Sequence, residues 1–422
     1  MTWAPILDGE LAVRACAAID EICAGLAGTR VDEVMWTPDP ASSLISGASL
    51  YAGAAGVALL HAYAGRPDDA VAYLSAAIDA ISEPMGDSLA GGWTGVAFAV
   101  EHLQGRMLER GPDDPNTSID DLLLERLAAA PWPGKLDLMY GVVGAGVYAL
   151  ERLAAAPAFA EHCLEMVVDH LADHAECDGV SGAGVTWFTP GHMIDRPAAA
   201  PLPAGRYYLG VAHGVPAMIS LLTRACAVGI AVDRARPLLD GAVRWLLGQR
   251  TSGLSPRFPY WVIPDGPAAP RRMAWCYGDL GIAVILLDAA RQAGEPVWER
   301  AAIELARGAA AYHADGPERA RDVVDASFCH GAAGLGHLFN RLAQTTGDAH
   351  LLAAARRWFA RTLDLHRPGE GCCGWRFWFP VSHLGWAAPP GLLEGAAGIG
   401  LALLAATGSL EPEWDRALAV ST

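Results

Sequence analysis

The stretch Ala274-Trp-Cys-Tyr-Gly-Asp-Leu-Gly281 joins a cysteine to a Gly-x-x-Gly step, and an apolar run follows it. A second stretch, Phe328-Cys-His-Gly-Ala-Ala-Gly334, has the same order of cysteine, paired glycines and apolar run. The glycine step also recurs elsewhere in the chain without a cysteine. Internal repetition of this kind indicates a scaffold built from copies of one structural unit. These two stretches are therefore copies of a repeat that also carry thiols.

Seven copies of the glycine step occur along the chain. Each copy has a first glycine just before an apolar run, and these are Gly53, Gly92, Gly141, Gly214, Gly278, Gly331 and Gly395. The second glycine follows three residues later in every copy except the fourth, which has Ala217 instead. The first glycines are 39 to 73 residues apart, which leaves room for a second helix in each interval. Because the apolar runs are rich in Ala and Leu, the repeating unit is predicted to be a pair of helices.

Seven helix pairs can bury their apolar faces in an open solenoid or by closing into a ring. An open solenoid usually ends in polar capping repeats, whereas the last unit here, residues 391–406, is almost entirely apolar. We therefore predict an all-α fold, an α/α toroid (barrel) of seven inner Gly-rich helices within an outer helical ring. The N-terminal turns of the inner helices are expected at one mouth. Residues 1–422 are expected to form a single domain, with the repeats at about 49–407.

The longest interval, between the third and fourth copies, contains residues 177–208, which are rich in Gly and Pro. Fragments at 185–189 and 206–209 favour β-structure, so we expect an irregular or β-containing insertion here. Smaller excursions are expected at 252–271 and 368–390. Such segments could be decoration on the toroid or could contribute to peptide binding, and the sequence leaves both alternatives open.

Bulk composition excludes several classes of protein. The formal charge of −17 argues against a nucleic-acid-binding protein, because phosphate recognition requires clustered Lys and Arg. The first 17 residues lack the basic and apolar segments of a signal peptide, and no stretch approaches the roughly 20 apolar residues that span a bilayer. Nine cysteines without an export signal are typical of reduced thiols. We expect a cytoplasmic protein without a membrane span.

The residues just before each first glycine should line the predicted mouth, and those of the fourth to sixth copies carry chemistry. They supply His213, Cys276 and the adjacent pair Cys329 and His330. Two thiolates and one imidazole are ligands that zinc accepts, and three protein ligands leave a fourth position open, as in catalytic zinc sites. The sequence therefore predicts one Zn²⁺ bound by Cys276, Cys329 and His330. The alternative is that the cysteines only pack in the core.

Two thiolate ligands weaken the Lewis acidity of zinc, so this site suits an incoming thiol better than the generation of hydroxide. The predicted reaction is S-alkylation or thiol addition. Addition leaves an enolate, which needs a proton donor and a positive or hydrogen-bonding partner. His213 is the candidate donor, and Asp137 could orient it. Arg272 could stabilise the enolate or pair with a carboxylate, and Tyr277 could donate a hydrogen bond. Each of these residues could instead be a helix cap, a surface charge or a packing residue.

These motifs resemble those of the lanthionine synthetase C-like cyclases. Trp275-Cys-Tyr-Gly278 and Cys329-His-Gly331 are similar to the two zinc motifs of that family, and the seven units resemble its seven-fold α/α toroid. The resemblance implies a zinc enzyme that adds cysteine thiols of a precursor peptide to dehydroalanine or dehydrobutyrine, closing lanthionine or methyllanthionine rings. It also implies that Cys276, Cys329 and His330 are the zinc ligands and that His213 is the acid/base group. Asp137, Arg272 and Tyr277 would be supporting residues.

No dehydratase or kinase region precedes the repeats, so the chain resembles the stand-alone bacterial cyclases of lanthipeptide (lantibiotic) biosynthesis. That resemblance implies a dehydrated precursor peptide with its leader as the substrate and a separate dehydratase as a partner. It also places residues 177–208 where such cyclases carry an inserted subdomain. Two other functions stay open, another zinc thiol alkyltransferase (prenyltransferase-like or glutathione-handling) and a non-catalytic peptide-binding scaffold.

Overall fold

The computed structural model is mostly helical and forms two compact units. The first unit comprises residues 1–121 and 313–421, and the second comprises residues 122–312 and 422. None of the helices in the described ranges is both long enough and apolar enough to cross a membrane. The residues that the structure describes are 3–27, 47–81, 85–177, 184–194, 204–253, 255–314, 323–379 and 385–421.

Seven helices begin directly after the first glycines of the seven copies, and in each case the glycine is the N-cap residue. The predicted helix starts are therefore confirmed. These helices are α2 (Ala54–Tyr63), α4 (Trp93–Leu103), α6 (Val142–Arg152), α8 (Val215–Ala227), α10 (Asp279–Ala293), α12 (Ala332–Thr346) and α14 (Ala396–Thr407).

A second set of helices alternates with the first, as the predicted helix pair requires. Each is buried along one face only; the helix Ala349–Asp364, for example, buries Leu351, Ala354, Ala355 and Trp358 at helical spacing. The set consists of α1 (Gly9–Ala27), α3 (Pro67–Asp79), α5 (Thr117–Leu127), α7 (Pro157–Asp173), α9 (Val232–Gly248), α11 (Pro296–Ala314) and α13 (Ala349–Asp364).

A tight turn before each inner helix explains the paired glycines. In five copies, all but the fourth and fifth, the first helical N–H donates to the carbonyl of the residue six positions before the first glycine, for example from Ala54 to Gly47 (2.8 Å) and from Ala332 to Asp325 (3.0 Å). A Cβ on the first glycine would overlap an atom of that residue in every copy. In the first, second, fifth, sixth and seventh copies, a Cβ on the second glycine would similarly overlap the carbonyl three positions before the first glycine, as at Gly334. Glycine permits these backbone approaches without a steric clash.

Gly278 has a second requirement for glycine. Its φ is 115°, in a region that L-residues rarely adopt, whereas the other six N-cap glycines have negative φ. The turn that carries Cys276 therefore has a backbone conformation that differs from the other copies.

In the first unit, the last copy of the repeat lies beside the first copy. The Leu393 N–H donates to the Tyr51 carbonyl (2.8 Å), and the Tyr51 N–H donates to the Ala90 carbonyl (3.1 Å). The Cys329 N–H donates to the Leu393 carbonyl in the same way (2.9 Å). Helix α14 packs against α1, α2 and α12. The sixth, seventh, first and second copies are thus joined in that order. Ring closure requires the join between the seventh and first copies, whereas an open solenoid lacks it.

The second unit contains the third to fifth copies. Its inner helices α6, α8 and α10 pack in sequence order, and α7 and α9 pack against α6 and α8. The Ala212 N–H lies 3.4 Å from the Cys276 carbonyl oxygen, so the fourth and fifth copies are joined by the same type of hydrogen bond as those of the first unit.

Three two-stranded antiparallel sheets supplement the helices. They pair β1 (Glu176–Cys177) with β2 (Val185–Thr186), β3 (Tyr207–Tyr208) with β4 (Trp261–Val262), and β5 (Phe377–Phe379) with β6 (Gly385–Ala387). The described part of 177–208 thus contains β-structure, as expected, while residues 178–183 and 195–203 lie outside the described residues. That 177–208 is an insertion in a single domain, and that it binds peptide, stay predictions.

A buried ionic cluster anchors the C-terminal segment to α12. Asp415 accepts hydrogen bonds from Arg341 Nε (2.7 Å) and Nη2 (2.9 Å), and its Oδ2 lies 2.7 Å from Nε2 of His337. Burial lowers the pKa of His337. Burial alone would raise the pKa of Asp415, but the Arg341 charge and the His337 hydrogen bond together lower it. The cluster therefore contains a carboxylate, a guanidinium and a neutral imidazole.

Candidate metal and acid–base site

The structure brings together the three predicted metal ligands. Cys276 is two residues before the first glycine of the fifth copy, and Cys329 and His330 immediately precede that of the sixth. Their ligand atoms all lie within 4.8 Å of one another. Both cysteines are buried, and neither forms a disulfide. The three side chains could bind a metal ion.

This donor set fits zinc. With Zn–S and Zn–N distances of about 2.3 and 2.0 Å, the ligand atoms of a tetrahedral site are about 3.5–3.8 Å apart. Separations of at most 4.8 Å therefore need to contract by no more than about 1.3 Å, which side-chain rotation can supply. Two sulfurs and one imidazole nitrogen also leave one coordination position for a substrate atom.

His213 and Asp137, predicted to act together, are in direct contact. Nδ1 of His213 lies 2.8 Å from Oδ2 of Asp137, and Oδ1 of Asp137 accepts a hydrogen bond from the Tyr140 N–H (2.7 Å). Asp137 is buried, whereas His213 is half-buried. A carboxylate held in this way fixes the imidazole orientation and keeps a proton on Nδ1. Nε2 is then the nitrogen that can exchange a proton with a ligand.

Tyr277 and Arg272 are linked through a residue that was not predicted, Tyr260. The rings of Tyr277 and Tyr260 stack with centroids 4.8 Å apart. The Arg272 guanidinium lies 5.5 Å from the Tyr260 ring centre and hydrogen-bonds its side chain. Burial raises the pKa of Tyr260, and the Arg272 charge opposes that shift. The Tyr277 ring lies 6.4 Å from the His213 ring, so Tyr277 borders His213, and Arg272 lies beyond Tyr260.

An aromatic wall borders His213, and Tyr277 was the one residue of this wall named from the sequence. The wall consists of Tyr140, Tyr208 and Tyr277. Tyr140 stacks on His213 at 5.9 Å, and Tyr208 lies about 6 Å from both His213 and Tyr277. Tyr140 occupies the position just before the first glycine of the third copy, which His213 and Tyr277 occupy in the next two copies. The position of Tyr140 in the repeat could therefore have predicted that it lies beside His213.

Three cations lie over aromatic rings near the wall. Lys135 lies 4.8 Å from the Tyr140 ring centre, Arg206 lies 4.4 Å from that of Trp261, and Arg272 covers Tyr260. Lys135 and Arg272 each stand six residues before a first glycine. This side of the site is both aromatic and positively charged, which suits a substrate that develops negative charge.

Comparison with known proteins places these features in a family. A family model described as "Lanthionine synthetase C-like protein" matches residues 45–419. A solved structure titled "Nisin cyclase" matches with a TM-score of 0.70 and 16% sequence identity, over 96% of this chain and 97% of that chain. No curated protein sequence matches. At this identity the structural match establishes the fold, and the predicted all-α toroid is confirmed. Because the family model covers most of the chain, the protein belongs to the lanthionine synthetase C-like family.

Proposed function

We propose that the protein is a zinc-dependent lanthipeptide cyclase that closes lanthionine or methyllanthionine thioether rings in a dehydrated precursor peptide. The observation that carries the proposal is the convergence of Cys276, Cys329 and His330 within 4.8 Å. Family membership and the likeness to a structure named nisin cyclase support the same class of enzyme. A zinc ion held by these side chains would keep an incoming cysteine deprotonated near neutral pH.

The chain's own residues account for the proton that the reaction consumes. Attack of the substrate thiolate on Cβ of dehydroalanine or dehydrobutyrine forms a C–S bond and breaks the C=C π bond, which leaves an enolate. Cα must then gain a proton. We assign that proton to Nε2 of His213, because Nδ1 is engaged by Asp137 at 2.8 Å. Asp137 stabilises the imidazolium before transfer and fixes the ring afterwards.

Arg272 and Tyr277 are the candidates for enolate stabilisation. A guanidinium and a phenol placed where negative charge develops stabilise the transition state more than the ground state. The contact between Arg272 and Tyr260 holds the guanidinium, and the stacking of Tyr260 on Tyr277 limits the movement of the Tyr277 ring. These contacts support preorganised roles for both side chains.

The reaction class also defines the partners and the compartment. A dehydratase must first convert Ser or Thr of the leader-bearing precursor into dehydroalanine or dehydrobutyrine, and we propose that a separate protein does so. We place the activity in the cytoplasm, where thiols stay reduced. None of the nine cysteines, all within the described ranges, forms a disulfide.

Metal analysis paired with a ring-closure assay tests the proposal. Wild-type protein should contain about one zinc per chain and consume the cysteine thiols of a dehydrated, leader-bearing peptide. Cys276→Ala should lose both properties because it removes one of three ligands. Zinc-loaded wild type that closes no ring would refute the cyclase. Intact peptide binding and biological output in Cys276→Ala would favour a non-catalytic scaffold instead.

A second candidate function is favoured by Arg206 and Arg272, which could hold an anionic co-substrate beside the aromatic wall. It is another zinc thiol alkyltransferase, prenyltransferase-like or glutathione-handling. This function would be favoured if a prenyl diphosphate alkylated a peptide thiol, or glutathione added its thiol, under conditions where the dehydrated peptide does not react.

A further inference from the structure

The ring of His330 faces a buried carboxylate on one side. Nε2 of His330 is buried and lies 3.7 Å from Oδ2 of Asp325, and Asp325 itself is buried. The ring of Phe377 packs against the imidazole with centroids 5.0 Å apart. The Nε2 edge of the ring is therefore enclosed by protein.

The Asp325 carboxylate is fixed independently of His330. Its Oδ1 accepts hydrogen bonds from the Ser327 N–H (2.9 Å) and the Ser327 hydroxyl (2.7 Å). Its Oδ2 accepts a hydrogen bond from the Trp378 N–H in β5 (3.2 Å). Three donors thus hold the carboxylate in one orientation.

The repeat does not require an aspartate at this position. The inner helix begins in the other six copies with Gly, Lys, Tyr, Arg or Pro at the position six residues before the first glycine. A Cβ at Gly331 would overlap Oδ1 of Asp325, whereas in the other six copies the nearest atom is backbone. The sixth copy therefore makes specific room for this carboxylate beside a candidate metal ligand.

We propose that Asp325 is a positioning residue for the metal ligand His330. It accepts the proton of Nε2, so that the imidazole presents the Nδ1 lone pair to the metal. An N–H···O bond requires the two atoms to approach by about 0.5–1 Å from 3.7 Å. Carboxylates behind ligating histidines fix the tautomer and raise ligand basicity, and their loss typically lowers metal affinity about 10–100-fold. This inference rests on the zinc site of the proposed function.

Asp325→Asn tests the inference through metal affinity. The amide keeps the shape of the side chain and can still accept from Ser327, but it places an N–H₂ against Nε2 and against the Trp378 N–H. Zinc affinity, measured by competition with a chromophoric chelator, should fall about 10–100-fold. Ser327→Ala, which removes one of the three donors, should give a smaller loss. The Co²⁺-substituted variant should also show altered thiolate-to-cobalt absorption bands.

A matched control is Asp288→Asn, which changes a buried carboxylate paired with Arg224 at 3.0 Å. It should lower the free energy of unfolding and leave zinc affinity at the wild-type value. Asp325→Asn with zinc affinity within threefold of wild type would overturn the inference. So would ¹⁵N spectra of the zinc-loaded protein that show metal on Nε2 of His330.

The two proposals fail in different ways. Zinc-loaded wild type that closes no ring refutes the cyclase, yet a zinc-affinity loss in Asp325→Asn would still support the positioning role. A wild type that binds no zinc through His330 overturns both.

Discussion

Replacing Asp137 by Asn tests the acid–base role of His213. The substitution is nearly isosteric, and the Asn carbonyl can still accept the Tyr140 N–H. The amide N–H₂, however, would point at Nδ1 of His213 across the 2.8 Å contact. It donates where the carboxylate accepted, so the neutral ring would carry its proton on Nε2. The imidazolium would also lose its stabilising charge.

The size of the effect follows from the role. A positioned general acid–base group typically contributes about 10²–10⁴-fold to the rate. We therefore expect Asp137→Asn to slow ring closure by about 10²–10⁴-fold, or about 2.7–5.4 kcal/mol at 1.36 kcal/mol per decade. Zinc content should not change, because Asp137 is not one of the three clustered ligands.

The assay must count thiols, because ring closure leaves the peptide mass unchanged. Single-turnover reactions quenched with N-ethylmaleimide give one mass increment for each cysteine that has not reacted. His213→Asn should slow the reaction comparably, and the double variant should be little slower than either single variant, since the pair acts as one unit. A rate for Asp137→Asn within threefold of wild type would refute the reasoning. Fully multiplicative losses in the double variant would show that the two residues act separately.

Three further outcomes are expected. Chelation of zinc should abolish ring closure and leave the helical circular dichroism signal intact, and added Zn²⁺ should restore activity. A loss of helix content on chelation would instead show that the metal has a structural role. Gly278→Ala should lower the free energy of unfolding in urea by at least about 1–3 kcal/mol, because φ is 115° and its Cβ would overlap the Arg272 carbonyl. Gly294→Ala is the control, because Gly294 has φ 69° and open space around it. It should lower the free energy of unfolding by less, and an equal loss would contradict the role assigned to the overlap at Gly278. Burial lowers the pKa of His337, so below about pH 6.5 the unfolded chain binds more protons than the folded chain. The free energy of unfolding should therefore fall on acidification from pH 7 to 5. His337→Gln should flatten that dependence, and an unchanged slope would contradict it.

The inner helices were predictable because their starts depend on local backbone geometry. The turn brings two carbonyls so close to the helix start that a Cβ there would overlap them, and glycine satisfies this requirement wherever the copy occurs. Cys276, Cys329 and His330 were predictable for the same reason, since equivalent positions in the repeat are equivalent positions in space. Ala217 shows that one second glycine can be replaced without loss of the helix start.

The aromatic wall was only partly predictable. Tyr260 and Trp261 lie in an irregular segment outside the repeat register, and they reach Tyr277 and Tyr208 through ring stacking and the β3–β4 pair. Two-residue strands have no periodicity from which pairing can be predicted. The role of Asp325 could not be predicted from the sequence either, because it depends on which atoms its carboxylate contacts.

The position six residues before each first glycine explains how one repeat can carry different chemistries. The helix begins in every copy whichever residue stands at this position, so its side chain is free to vary without loss of the helix start. The first, second and seventh copies have Gly or Pro there, whereas the third to sixth have Lys135, Tyr208, Arg272 and Asp325. Those four side chains contact Tyr140, His213, Tyr260 and His330, each a candidate site residue or its neighbour. The repeat thus separates the atoms that specify the fold from those that specify the site.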